Sequence, residues 1–209
     1  MFRSRLRPSV LIAAVLALAV AAPASAGPLV ANAPSCQSLP VSQVFLPWAD
    51  VANYEQAPGG TIEGGAPGWT LSGGAAVVAG NESYAVNSAT DSSSLAVPNG
   101  ATAVTGVTCV GLDHPDLRFF VRSTGAVALG SAATLRVDVS WEDSAGNDWW
   151  TTIGTTSGGS SWAPTAQMVI TPSLLALLPG NMTPVAFRFV ATGGDFQIDD
   201  IYVDPFGGH

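Results

Sequence analysis

Lysine is absent from this chain of 209 residues, and histidine and cysteine occur only twice each. Seven arginines are the only other basic side chains, and Arg3, Arg5 and Arg7 sit together at the N-terminus. Each shortage excludes a chemistry. Without lysine there is no Ser-Lys dyad, and the glycine-rich stretches "GGTIEGG" and "TSGGSS" lack the lysine and the following helix that cradle a phosphate. A Ser-His-Asp triad needs an imidazole held by a carboxylate. His209 is the last residue, and His114, in "GLDHPDLRFF", reads as a loop histidine bonded locally. No G-x-S-x-G elbow and no zinc spacing occur. Beyond Ala26 the balance is four arginines against fifteen acids, a formal charge of 4 − 15 = −11. Such a chain repels phosphate backbones and anionic bilayers, which excludes nucleic acid and membrane surfaces as partners.

The N-terminus has the three parts of an export leader: a basic start, the apolar run Val10 to Ala22, and the small residues Ala24, Ser25 and Ala26. The apolar run ends at Pro23, short of the roughly 20 residues that span a bilayer. Residues 1–26 therefore read as a signal peptide cleaved before Gly27, with a secreted product that is not membrane-embedded. In an exported chain, the pair Cys36 and Cys109 reads as a disulfide.

Helical periodicity is nearly missing. Short apolar runs alternate with turn signals such as "PGG", "SGG", "PNG" and "TGG". In "LRVDVSWED", Leu135, Val137, Val139 and Trp141 share one face and Arg136, Asp138, Ser140 and Glu142 the other. The turn "SAGN" and the segment "DWWTTIGTT" complete a hairpin. Further strands are expected over 75–78, 103–110, 117–122, 185–191 and 196–203; "SLLALLPG" suits one helical turn or a strand. The fold class is all-β, a two-sheet antiparallel sandwich over 59–209. The Pro-rich segment 27–58 is expected to wrap it as an extended arm, tied down by Cys36.

In "FQIDDIYVDP", Ile198 and Ile201 are three apart, so both face the core only if the backbone bulges between them. That bulge would also let the adjacent Asp199 and Asp200 act on one side. With "GGTIEGGAPGWTLSGGAAVVAGN", this segment resembles the last and first strands of galactose-binding-like jelly rolls, many of them carbohydrate-binding modules. Ile62 stands where that family has Phe. The stretches "FLPWADVANYEQAPGGTIEGG", "HPDLRFFVR" and "IDDIYVDP" also look like a group of uncharacterised secreted actinobacterial proteins, a likeness that brings no activity with it. The jelly-roll resemblance implies a structural calcium ion held by Glu63 and Asp199, with Asp200 beside them. Calcium takes six to eight oxygens, which carboxylates and loop carbonyls can supply.

Six tryptophans suit binding of carbohydrate, because indole packs on the apolar face of a pyranose and its N–H bonds a hydroxyl. Trp69 and Trp141 are expected in the core, and Trp48 is expected to staple the arm. Adjacent on one strand, Trp149 and Trp150 face opposite ways, so only one can enter the core. Trp162, in "SGGSSWAP", is expected on an exposed loop. Trp149, Trp150 and Trp162 are thus the candidate ligand platform, for a polysaccharide or cell-envelope glycan. No catalytic residue is assigned. A structural protein without a small ligand is the alternative, and a glycosidase using two of Glu63, Glu82 and Glu142 is a third reading.

Overall fold

In a computed structural model, residues 27–32, 36, 39–111, 115–125, 132–143, 145–170 and 182–205 are described. Apart from a short helix, α1 (Pro28–Asn32), and one 3-10 turn at Leu46–Trp48, their regular structure is all strand. The first sheet has eight strands: β1 (Val41–Ser42), β2 (Tyr54–Gln56), β4 (Ala76–Ala79), β5 (Ser93–Val97), β8 (Asp116–Ser123), β11 (Ala163–Pro164), β12 (Met168–Val169) and β14 (Phe196–Asp204). The second has six: β3 (Thr70–Ser72), β6 (Thr102–Val104), β7 (Thr108–Val110), β9 (Thr134–Glu142), β10 (Asp148–Thr156) and β13 (Thr183–Thr192). Every pairing is antiparallel. The chain crosses repeatedly from one sheet to the other, the winding of a jelly roll.

Alternation builds the core. Leu135, Val137 and Val139 of β9 lie opposite Ala191, Phe189 and Phe187 of β13, all at most 5 % exposed. From the other sheet come Leu117, Phe119 and Val121 of β8 with Phe196, Ile198, Ile201 and Val203 of β14. The expected strand over 103–110 is broken into β6 and β7, with the Thr105 hydroxyl accepting the Phe187 N–H between them. The segments holding "SLLALLPG", His114 and His209 lie outside the described residues.

A bulge in β14 is present where Ile198 and Ile201 require it. Asp199 pairs with Phe120 and Tyr202 with Arg118, so Asp200 and Ile201 together face the single residue Phe119. Both isoleucines are fully buried. Asp200 takes φ 47°, a left-handed conformation that Asp tolerates better than most residues. The bulged Ile201 backbone bonds to the turn at Ala57 and Gly60 instead of to a strand. A Cβ on Gly60 would lie 2.7 Å from the Ile201 carbonyl oxygen, so only glycine permits this approach.

Residues 27–58 do more than wrap the sandwich. β2 pairs with the end of β14 and β1 extends the sheet by a further short strand. Phe45 and Tyr54 join Phe120, Trp162 and Tyr202 in a second apolar cluster on the outer face of the first sheet. Trp48 packs edge-on against Phe120, 5.4 Å between centroids, and so does staple this segment. Cys36 and Cys109 form the expected disulfide, closing a separation of 73 residues.

Candidate functional site

The β9–β10 hairpin carries the exposed aromatic surface. Trp149 is 51 % and Trp150 38 % exposed, and no other described tryptophan is as open. Neither enters the core, contrary to the expectation that one of them would. Trp149 lies opposite Trp141 in register, and the two rings stack at 6.2 Å, Trp141 half-buried against the edge of the core and Trp149 outside it. Asp143 locks this stack. Its carboxylate accepts the N–H groups of Ala145 and Asn147 at 2.9 Å and the Trp149 indole N–H at 2.9 Å. Those donors, the Asn147 N–H first, draw its pKa down to about 2.

On the opposite face, the Arg188 guanidinium sits 4.2 Å from the centre of the Trp150 ring. Arg188 is in turn held by Asp138 at 2.7 Å, and Arg136 reaches the same carboxylate at 3.0 Å. Burial alone would raise the pKa of Asp138. The Thr152 hydroxyl and the two guanidinium groups outweigh it and hold the carboxyl below its ordinary value. Each exposed indole is thus backed by a fixed partner, and β10 adds the exposed residues Thr151 and Thr152, whose hydroxyls bond Trp141 and Asp138.

Trp162 is not on an exposed loop. It is 7 % exposed, packs in the second apolar cluster, and has the Arg122 guanidinium 4.9 Å from its ring centre. The polar sequence around it gave no sign that the outer face of the first sheet is itself an apolar layer. That layer opens on two recesses that share Trp48. One, of about 650 Å³, is lined by Gln43, Leu46, Pro47, Trp48 and Tyr84. The other, of about 420 Å³, is as apolar as it is polar and contains Asp50, Arg118 and Gln167. Arg118 bonds Asp50 at 2.6 Å, and the Tyr54 hydroxyl donates to the same carboxylate at 2.8 Å.

The acidic cluster lies at the β14 bulge. Asp199 and Asp200 are at most 1 % exposed, so no polymer can reach them. Burial, with the charges of Glu82 and Glu63, pushes Asp199 up to about 7. Burial, with Asp199, Glu82 and Asp91, pushes Asp200 up to about 8. The Glu82 N–H donates to Asp199 Oδ2 at 2.9 Å, and Gln56 donates to Asp200 Oδ1 at 3.2 Å. Asp200 Oδ2 and Asn81 Oδ1 are buried without a hydrogen-bond partner.

Glu63 is not on a first strand. "GGTIEGG" forms successive turns, with Ile62 at φ 61°, because glycines at 59, 60, 64 and 65 leave no continuous run to pair. The early strand that pairs with β14 is β2, which carries Glu55. The carboxylate of Glu63 is occupied by the N–H groups of Ser92 and Ser93, at 2.7 and 2.6 Å, which lower its pKa. Among the described residues, no three His, Cys, Asp or Glu side chains converge as a metal centre. Asp200 Oδ2 and Asn81 Oδ1 are the buried oxygens of this cluster that accept no hydrogen bond. Asn81 precedes Glu82, whose part in the cluster follows from a long-range contact with no local sequence signal.

No protein-family model and no curated protein matches the chain. Solved structures do. The Clostridium thermocellum endo-1,4-beta-D-xylanase 10B fragment with family 22 carbohydrate-binding and family 10 modules, complexed with xylohexaose, is 18 % identical with a TM-score of 0.48. That similarity covers 71 % of this chain and 28 % of the xylanase fragment. The xylan-binding family 22 domain from Paenibacillus barcinonensis Xyn10C is 14 % identical over 74 % of this chain and 95 % of its own, with a TM-score of 0.45. The C-terminal family 6 module of a Zobellia galactanivorans laminarinase is 11 % identical over 73 % and 99 %, with a TM-score of 0.45. These similarities assign no role to any residue of this chain.

Proposed function

We propose that the chain is a secreted, non-catalytic module that binds polysaccharide or cell-wall glycan through the edge strand β10. The observation that carries this reading is the pair of exposed indoles on its two faces, each immobilised from behind. Trp149 is stacked on Trp141 and tethered by Asp143, and Trp150 is backed by Arg188. A rigid aromatic face loses little conformational freedom when a sugar ring settles on it, and neighbouring threonine hydroxyls complete the polar contacts. The apolar recess beside Trp48 and Tyr84 favours a second location for the same kind of ligand.

The test is retention of the protein on insoluble polysaccharides, xylan among them, and on cell-wall preparations. Trp149→Ala, Trp150→Ala and Tyr84→Ala are compared at equal melting temperature. Loss of retention in either tryptophan variant supports the β10 platform, and loss confined to Tyr84→Ala relocates the site to the recess. If the unaltered protein is retained by none of the matrices, the reading is wrong.

We also propose a structural calcium ion at the β14 bulge, held by Asp200 and Asn81, whose buried oxygens have no hydrogen-bond partner, with Asp199 and Glu63 beside them. The ion would supply positive charge where buried carboxylates repel one another, and hard oxygen donors suit it. A melting temperature that is the same in chelator and in millimolar calcium would remove this proposal.

A further inference from the structure

Glu142 ends β9 at 4 % exposure, and its two described hydrogen bonds come from the N-terminal segment. The Gly27 N–H donates to Oε1 at 2.9 Å and the Val30 N–H to Oε2 at 3.2 Å. Directly across the hairpin from Glu142 stands Asp148, a like-charged pair of the kind that destabilises a sheet. Burial and then the charge of Glu142 push the Asp148 carboxyl up. Among the described residues, no basic side chain pairs with Glu142. The chain has no lysine. The described arginines are engaged elsewhere: Arg118 with Asp50, Arg122 with Gln197, and Arg136 and Arg188 with Asp138.

The recess around Gly27 is closely fitted. A Cβ on residue 27 would meet Glu142 Oε2 at 2.5 Å and the Gly146 carbonyl oxygen at 2.7 Å. The residue seated against the buried carboxylate is also the one that follows the small-residue cleavage signal at Ala24 to Ala26.

We propose that cleavage between Ala26 and Gly27 creates an α-ammonium group that Glu142 holds as a buried ion pair, and that this pair seats the N-terminal segment on the second sheet. The inference goes beyond the glycan reading and stands or falls separately from it. The step is a hydrolysis by an export peptidase. Water gives hydroxyl to the Ala26 carbonyl carbon and a proton to the Gly27 nitrogen, and the new amine takes up a second proton from solvent. A neutral amide donor facing a buried carboxylate thereby becomes its counter-charge. Such a pair is strongly destabilising to break from one side. From Gly27 the segment runs through α1, which contacts β9 and β13, to the disulfide at Cys109 on β7. Glu142 is two residues from Ser140, the register partner of Trp150, so Glu142 and that indole share the outer face of the hairpin.

The test begins with the mass of the exported protein, which must correspond to a chain starting at Gly27; another start overturns the proposal. Two purified forms are then compared, one starting at Gly27 and one at Ala26, each with Glu142 and with Glu142→Gln. The Gly27 form should melt on the order of 5–10 °C above the Ala26 form. Glu142→Gln should erase that difference. Equal melting of the two unaltered forms, or a difference that survives the substitution, overturns the proposal. If Glu142→Gln does not fold, the α-amine of the Gly27 form decides by NMR titration. A pKa above the ordinary value of about 8 supports the pair, and an ordinary value overturns it.

Discussion

Asp199 and Asp200 show how far one residue's environment depends on the fold around it. Both are raised above the ordinary carboxylate value, to about 7 and about 8, because they are buried and face other acids. A group raised in this way holds its proton longer when folded than when unfolded. The stability it contributes is complete below the unfolded pKa near 3.8 and is lost as pH rises through 7 to 8. Asp50 and Asp138 are shifted down and act oppositely, losing their contribution as pH falls below 3.8. In chelator, the melting temperature should therefore peak near pH 4 to 5 and decline toward pH 8. Calcium should flatten the upper limb if the proposed ion binds. Asp200→Asn should raise calcium-free stability at pH 8 by on the order of 2 kcal/mol, read by urea unfolding, and should lose the response to calcium.

At the scale of the element, the β9–β10 hairpin is held by its own side chains. Asp143 in the turn gathers backbone and side-chain donors and also fixes the indole of Trp149. Asp143→Ala should lower the midpoint of urea unfolding, through the loss of charge-assisted bonds in the turn. It should also weaken glycan retention, because an untethered Trp149 must be ordered on binding. Trp149→Ala and Trp150→Ala remove a ring stack and a cation–π contact, each worth about 1 kcal/mol. The domain should stay folded in both variants, and near-ultraviolet circular dichroism checks that. The β14 bulge is the other decisive element. It keeps both isoleucines in the core and leaves the paired carboxylates in the acidic cluster.

For the whole molecule, the N-terminal segment joins the two layers. Its Phe45, Trp48 and Tyr54 cover the outer face of the first sheet, while α1 and Glu142 anchor its start on the second. The disulfide between Cys36 and Cys109 fixes the passage between them. Replacing both cysteines by serine should cost about 4 kcal/mol for a 73-residue separation, measured by denaturant unfolding. The loss should be largest for probes in the outer aromatic layer, such as Trp162 and Trp48.

Alternation and turn chemistry determined the all-β class, the β9–β10 hairpin and the bulge between Ile198 and Ile201, and the presence of just two cysteines determined their pairing. All of these follow from local spacing or from the scarcity of cysteine. The fates of the tryptophans were not local. Trp162 is buried because the outer face of the first sheet is covered by aromatic residues from distant parts of the chain, and Trp149 is exposed because Trp141 takes the place against the core. Glu63 carried a motif likeness, yet glycine turns took it off the strand, and Glu82 entered the acidic cluster unannounced. The seat of Gly27 against Glu142, 115 residues away, needed the folded chain as well. Periodicity reports which face a side chain takes, whereas burial and charge depend on what distant segments bring to that face, and only the tertiary structure decides that.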